Sequence, residues 1–166
     1  MRTQIFAAVS TGTVVGIIGL FGVLAGYPWL IASLGPTVAL QTTMPDSPVS
    51  QPRSVAAGHV LALGAAFAAL YATGALHAPP FSASHSLSLL RVAAAAMAVA
   101  LGMGLEFIFK ATHASGAATA LLVALGLVPP NWQGVIIVLC GVALVTVLGE
   151  GVRKIQLRLK RRTAPQ

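Results

Sequence analysis

The residues best placed for chemistry lie in two short apolar stretches, Trp29–Leu40 and Thr112–Leu127. The first stretch has Gly35-Pro36-Thr37 near its centre. Proline fits only the first turn of a helix because it lacks an amide hydrogen, so a helix is predicted to begin near Gly35. A bilayer core of about 30 Å needs about 20 helical residues, more than either stretch can supply. The pattern therefore predicts helices that begin inside a membrane.

The chemistry predicted for these stretches is anion binding. The first turn of a helix has unpaired amide hydrogens and about half a positive charge, so two such ends converging at mid-membrane form an anion site from backbone. Gly35 and Gly116 have no side chain to keep a ligand away. Hydroxyl donors are supplied by Ser33, Thr37, Ser115 and Thr119. In the alternative interpretation, the glycines only allow two short helices to cross closely.

Three basic side chains near the short stretches are candidates for contact with an anion. Arg53 precedes a long apolar run, His59 lies about 9 Å further along the predicted helix, and His113 precedes the second short helix. Ionisable groups at membrane depth are functional candidates, and a histidine there donates to an anion or carries a proton. Alternatively, Arg53 anchors to lipid phosphate and the histidines bond or cap neighbouring helices. Glu106 is expected to pair with Lys110, four residues later.

The predicted substrate site combines residues of both short stretches with the start of the helix after the first. It comprises Gly35, Pro36, Thr37, Arg53, His59, His113, Ser115, Gly116 and Thr119. The three carboxylates do not form a close sequence pair, the four histidines lack metal-ligand spacing, and no phosphate-binding loop is present. We therefore expect no enzyme activity, no metal and no cofactor.

The composition sets the class of protein. Hydrophobic residues make up 57% of the chain and charged residues only 8%, against about 25% charged in soluble domains. The apolar runs are continuous, whereas a membrane barrel shows segments of about 10 residues with alternating polarity. The sequence therefore predicts an all-α, polytopic membrane protein with a single transmembrane domain over residues 1–166.

The elements repeat along the chain. Gly35 and Gly116 are 116 − 35 = 81 residues apart, and at the same offset Ala39 matches Ala120 and Leu40 matches Leu121. The long apolar runs are Ile5–Gly26, Val55–Leu76, Leu87–Phe109 and Gln133–Glu150. The order predicts two repeats of long helix, short broken helix and long helix, at about 5–76 and 86–152, followed by a basic tail at 153–166.

Charge placement predicts the topology. Six of the ten basic residues lie in 153–166, beside an apolar run, which is typical of a cytoplasmic membrane surface rather than of nucleic-acid binding. If both short stretches cross the membrane, the chain crosses six times, and Arg2, Arg53 and Lys110 share one side with the tail. If the stretches only dip in and return, it crosses four times. The positive-inside rule favours six crossings, cytoplasmic termini and oppositely oriented (inverted) repeats. We expect a bacterial inner (plasma) membrane.

Three stretches resemble the signatures of the HPP family of small integral membrane proteins. They are LIASLGPTVAL at 30–40, MPDSPVSQPRSVAAGHV at 44–60 and THASGAATALL at 112–122. The most specific part is Gln51-Pro52-Arg53 followed by Gly58-His59. The eponymous His-Pro-Pro is His113-Ala114-Ser115 here, so the histidine is kept and both prolines are replaced. The family is usually described with four membrane helices, and some members are linked to nitrite transport.

The resemblance implies a transporter, and the two predicted helix starts indicate an anionic substrate. We therefore expect passage of a small monovalent anion such as nitrite. A channel for a small neutral solute and a non-transporting scaffold or sensor subunit are the alternatives. Because so short a chain buries little surface and its helices are rich in glycine and alanine, we also expect a homo-oligomer.

Overall fold

The computed structural model of the chain describes residues 2–163, which form seven α-helices and two short 3₁₀ turns without any strand. The helices are α1 (Arg2–Ala25), α2 (Leu34–Thr43), α3 (Pro52–Ala72), α4 (Phe81–Ser84), α5 (Leu89–Ile108), α6 (Ser115–Ala124) and α7 (Trp132–Thr163). Within the described residues, four of them are long and apolar enough to cross a membrane, namely α1, α3, α5 and α7. The prediction of an all-α, polytopic membrane protein is confirmed.

The two short helices, α2 and α6, have ten residues each. Each is about 15 Å long, half the thickness of a bilayer core. The chain before α2 is non-helical from Pro28 to Ile31, and Pro36 is the third residue of the helix, within its first turn. The predicted interruption of both apolar stretches is therefore present.

The long apolar run Gln133–Glu150 is part of a longer helix, which also includes most of the basic tail predicted at 153–166. Helix α7 continues without a break to Thr163, where the described residues end. Glu150 accepts two hydrogen bonds from Arg153, at 2.5 and 3.0 Å, and lies 3.5 Å from Lys154. These pairs at spacings of three and four residues favour the helix across the predicted boundary.

Each short helix packs between two long helices from different halves. Helix α2 contacts α1 and α7, whereas α6 contacts α5 and α3. Helices α3 and α7 also contact each other. The core between them consists mainly of alanine and valine, such as Val38, Ala66, Ala98 and Val138, each fully buried. Such small side chains let helices approach closely where no hydrophobic effect drives association.

The loops gather at two ends of the helix bundle. At one end, the basic end, Arg153 donates to the Pro45 carbonyl at 2.8 Å and Lys160 lies 2.7 Å from Asp46. This end holds the start of α1, the loop 44–51 and the tail, as Gln156 also reaches the Thr3 carbonyl. The inverted relation of the two halves stays a prediction.

The opposite end joins the loop 73–88 to the loop 125–131. The Phe81 amide donates to the Leu125 carbonyl and the Ser82 hydroxyl to the Gly126 carbonyl, both at 2.9 Å. Arg91 is buried here and donates to the carbonyls of Ala124 at 2.9 Å and Ala78 at 2.7 Å. This one cation at the end away from the tail thus bonds backbone carbonyls at the end of α6 and in the neighbouring loop.

Candidate functional site

The starts of the two short helices meet at a group of buried polar side chains. We call Ser33, Thr37, His59, His113, Ser115 and Thr119 the two-histidine cluster. Ser33 and Thr37 come from the start of α2, His59 from the second turn of α3, and the other three from the start of α6 and the residues before it. None of the six is more than 4% exposed. The tertiary structure thus brings together five of the nine predicted site residues and adds Ser33.

Thr37 is the centre of this cluster. Its hydroxyl oxygen lies 2.9 Å from Nε2 of His59, 3.2 Å from Nε2 of His113 and 2.9 Å from the carbonyl oxygen of Ser33, which can only accept. The two imidazole rings are 5.1 Å apart and tilted by 60°. One hydroxyl group therefore links both histidines.

Thr119 and Ser115 connect α6 to α2 on the other side of His59. The Thr119 hydroxyl lies 2.7 Å from Nδ1 of His59 and 2.8 Å from the Ser33 hydroxyl. Ser115 donates through a short hydrogen bond to the Ser33 carbonyl. Both nitrogens of His59 therefore face threonine hydroxyls from two different short helices.

The backbone around His113 is held by Glu106. The His113 amide donates to Oε2 of Glu106 at 2.9 Å, while Nδ1 of His113 lies 2.8 Å from the Val49 carbonyl. The predicted pair of Glu106 with Lys110 is wrong. The chain turns sharply at Lys110, which has a left-handed φ of 51°, and this returns the backbone of His113 over the Glu106 carboxyl group while Lys110 is exposed.

Two glycines allow α3 and α6 to approach this closely. A Cβ atom at Gly58 would lie 2.7 Å from Cβ of His113 and 3.3 Å from Oε1 of Glu106. A Cβ atom at Gly116 would lie 2.9 Å from the Gly58 carbonyl oxygen. Gly116 therefore serves close helix packing, which was the alternative interpretation. At Gly35, by contrast, nothing lies within 4 Å of such an atom.

A groove between the two short helices borders the cluster. It has a volume of about 410 Å³. Its lining consists of Pro36, Ala39, Leu40, Thr43, Ala114, Ser115 and Ala118. Ser115 belongs to both the groove and the cluster, because its hydroxyl donates to the Ser33 carbonyl. The lining of the groove thus includes exposed Pro36 of α2 and buried Ser115 of α6.

Several backbone amides at the helix starts are already bonded within the chain. The Leu34 amide donates to the Ile31 carbonyl at 3.0 Å, and the Thr37 amide to the Ser33 carbonyl at 3.4 Å. In α6 the Gly116 amide donates to the His113 carbonyl at 2.7 Å. Side chains therefore supply much of the hydrogen-bonding surface where the helices meet, in addition to the helix ends themselves.

Arg53 is not part of this arrangement. Its side chain is exposed at the start of α3 and makes no hydrogen bond or ion pair with the side chains and backbone that the structure describes. Within the same residues, no three side chains of histidine, cysteine, aspartate or glutamate come together as metal ligands would. The arrangement of the cluster provides hydrogen-bond donors and acceptors.

The comparison with protein families settles the classification. A family model described as "HPP, transmembrane region" matches residues 1–165. The chain belongs to the HPP family. Comparisons with curated proteins and with solved structures gave no match.

The HPP signature stretches converge on the two-histidine cluster. Gly58-His59 provides both the close approach to α6 and the histidine that bonds Thr37. Ser115 stands where the eponymous motif has its second proline, and its hydroxyl bonds Ser33. This departure from the motif therefore adds a hydrogen-bond donor to the cluster.

Sequence reasoning missed two contributors to the cluster, Glu106 and the Val49 carbonyl. Both orient His113, one through its amide and the other through its ring. The spacing predicted that Glu106 pairs with Lys110, four residues later, and a backbone carbonyl gives no sequence signal. Gly58, directly before His59, and Gly116 were the available signs of a close helix contact at this point.

Proposed function

We propose that this HPP-family membrane protein transports a small monovalent anion, such as nitrite, through the region where α2 and α6 meet. The observation that carries this proposal is the convergence of two interrupted helices on a buried polar cluster. Half-helices whose N-terminal ends face a polar site near mid-membrane are typical of transporter substrate sites. Buried polar groups inside a membrane domain are costly and mark transport pathways.

The electrostatics of the cluster favour an anion over a cation. Both short helices begin at it, and a helix start carries about half a positive charge. Hydroxyl and imidazole groups donate hydrogen bonds, and the nearby carboxyl group of Glu106 accepts one from the His113 amide. The tight packing at Gly58 and Gly116 favours a substrate of only a few atoms.

A channel for a small neutral solute is the second candidate. It is favoured by the exposure of Arg53, which leaves the cluster without a fixed side-chain cation. A neutral-solute pathway predicts that urea and glycerol pass while anions do not. A scaffold or sensor subunit would move none of these solutes.

The test is uptake by liposomes containing the purified full-length protein. Nitrite, nitrate, formate and chloride form the anion panel, and urea and glycerol the neutral one. We expect uptake of at least one anion, and Thr119→Val should reduce it about tenfold or more because it unpairs buried partners. Thr146→Val is the matched control, since the Thr146 hydroxyl has one hydrogen bond among the described residues, to the Val142 carbonyl of its own helix. Passage of neutral solutes alone would replace the anion proposal, and no passage at all would refute transport.

We also propose the membrane, the orientation and the oligomeric state of the protein. Because the basic end carries the tail, the positive-inside rule supports our proposal that both termini lie in the cytoplasm and that the protein resides in a bacterial inner membrane. Large apolar side chains are exposed on the long helices, among them Val23, Tyr71, Leu89, Ile108 and Val147. Such side chains can pack against lipid or against a second copy of the chain, and we propose that the protein is a homo-oligomer. Light scattering of the detergent-solubilised protein would measure its oligomeric state.

A further inference from the structure

The hydroxyl proton of Thr37 has more acceptors than it can serve. The hydroxyl can donate to the Ser33 carbonyl, to His59 Nε2 or to His113 Nε2, but it has a single hydrogen. The Val49 carbonyl only accepts, so Nδ1 of His113 must donate to it. The presence or absence of a hydrogen at Nε2 of His113 therefore decides the direction of its bond with Thr37.

With both histidines neutral, the hydrogen bonds have one consistent direction. His113 Nε2 has no hydrogen, so Thr37 donates to it and accepts from His59 Nε2. His59 Nδ1 then accepts from Thr119. The acceptors that remain are the carbonyl and the hydroxyl oxygen of Ser33.

An added proton can be accommodated by turning one hydroxyl group. If His113 becomes protonated, its Nε2 donates to Thr37, and Thr37 turns its hydrogen to the Ser33 carbonyl at 2.9 Å. If His59 becomes protonated, its Nδ1 donates to Thr119, and Thr119 turns its hydrogen to the Ser33 hydroxyl at 2.8 Å. Because the Ser33 carbonyl and hydroxyl oxygens already lie within hydrogen-bond distance of these two threonine hydroxyls, protonation needs no movement of the backbone.

We propose that the two-histidine cluster takes up one proton with each anion, so that the protein is a proton–anion symporter. This inference rests on the proposed anion transport. A cation enclosed by protein is costly without a counter-charge, and so is an anion, whereas the two together compensate each other. The proton binds to an imidazole nitrogen from the solution on one side and leaves to the solution on the other. No other bond is made or broken.

The charged groups around the cluster are few. Glu106 of α5 faces it and holds the His113 amide. Arg53 on α3 and Lys110 after α5 are exposed. Glu106 therefore adjusts how readily the histidines take a proton, and it is a positioning residue because it bonds backbone rather than an imidazole ring.

The experiment follows protons and anions together in liposomes containing the full-length protein and a pH-sensitive dye in the lumen. Nitrate is the preferred probe if the protein transports it, because its acid is fully dissociated, whereas nitrous acid itself leaks across lipid. Protein-free liposomes measure that leak when nitrite is used. We expect acidification of the lumen in step with anion uptake, and uptake that does not respond to an imposed membrane potential.

Variants of the central hydroxyl give the sharpest contrast. Thr37→Ser keeps a hydroxyl and should retain coupled uptake within about threefold, whereas Thr37→Val removes it and should lower proton-linked uptake about tenfold or more. Glu106→Gln keeps an acceptor for the His113 amide, so it should shift the pH midpoint of uptake and leave one proton per anion. Gel filtration and thermal unfolding show whether each variant is folded.

The possible results separate the two proposals. Anion uptake that moves no protons and follows the membrane potential would overturn proton coupling and leave anion transport standing. Equal coupling in folded Thr37→Val and Thr37→Ser would also overturn it. Absence of uptake for every anion would overturn both. Coupled uptake that Thr37→Val abolishes and Thr37→Ser retains would support the symport mechanism.

Discussion

The rings of His59 and His113 lie 5.1 Å apart, with the hydroxyl of Thr37 within hydrogen-bond distance of Nε2 of each. The two histidines come from different halves of the chain, and Thr37 comes from a short helix that packs mainly on α1 and α7. The cluster therefore forms only when α2, α3 and α6 are assembled. A change in the relative position of the short helices would alter these bonds directly, which links helix movement to the site.

The contact of Gly58 with Gly116 should be sensitive to a single methyl group. Gly58→Ala places its Cβ 2.7 Å from Cβ of His113, so the free energy of unfolding should fall by about 1–3 kcal/mol through overpacking. Gly64→Ala, on the same helix, is the matched control, since nothing lies within 4 Å of its Cβ. The control should be stabilised by about 0.5–1 kcal/mol, because alanine is the better helix former. Thermal unfolding in detergent measures both, and equal stability of the two variants would contradict the packing argument.

Arg91 should matter more for stability than Arg53. Its guanidinium group is buried and serves two carbonyls, at the end of α6 and in the loop before α4. Arg91→Ala should lower the free energy of unfolding by about 2 kcal/mol or more, because hydrogen bonds to charged groups are lost and two carbonyls lose their partner. Arg53→Ala, at an exposed position, should change it by less than about 0.5 kcal/mol. A larger loss in Arg53→Ala than in Arg91→Ala would show that the structural assignment of Arg91 is wrong.

The sequence predicted the interrupted helices well and their contacts poorly. Gly35-Pro36 and the length of the apolar stretch were enough to predict a short helix, because those signals are local. The bond from Thr37 to His113 depends on how α2 and α6 cross, and local spacing does not encode that crossing. Glu106 shows the same limit. A partner four residues away was predicted, whereas the turn at Lys110 brought the His113 amide to it instead.

Gln41 is fully buried, yet both atoms of its amide lack a hydrogen-bond partner among the described residues. The amide lies against Gly149 of α7, where any side chain would collide with it. Replacement by an apolar side chain of similar shape, Gln41→Met, should raise the free energy of unfolding by about 1 kcal/mol, since it removes two unpaired polar atoms. Thermal unfolding measures the change. A clear loss of stability would show that the amide has a partner in solution, such as water.

The ion pair of Asp46 with Lys160 should give an acid-dependent part of the stability. The hydrogen bond from Lys160, with the charges of Lys160, Arg153 and Arg161, lowers the pKa of Asp46 below its ordinary value of 3.8. A carboxyl group whose pKa is lower in the folded than in the unfolded state stabilises the protein at a pH above its ordinary pKa. This contribution is lost as the pH falls through the pKa of the folded state. The difference in unfolding temperature between the natural chain and Asp46→Asn should be small and constant at neutral pH. It should shrink below pH 3.8 and vanish once the pH is below the lowered pKa of the folded state. A difference that grows in acid would contradict this sign.

The topology can be decided by labelling single cysteines from one side of the membrane. Cys140→Ser removes the one cysteine of the sequence, and Ser47→Cys and Ser86→Cys then place reporters in the loops at the basic end and at the opposite end. With six crossings, the Ser47→Cys reporter lies in the cytoplasm with the tail and the Ser86→Cys reporter outside. We expect a membrane-impermeant maleimide to label only the Ser86→Cys protein in intact cells and both proteins after permeabilisation. With four crossings the loop 44–51 would lie outside, and labelling in intact cells would be reversed. Because Arg153 and Lys160 hold the loop 44–51 at the same end as the tail, the reversed pattern would place the tail outside the cell or contradict these contacts, and it would overturn the predicted orientation.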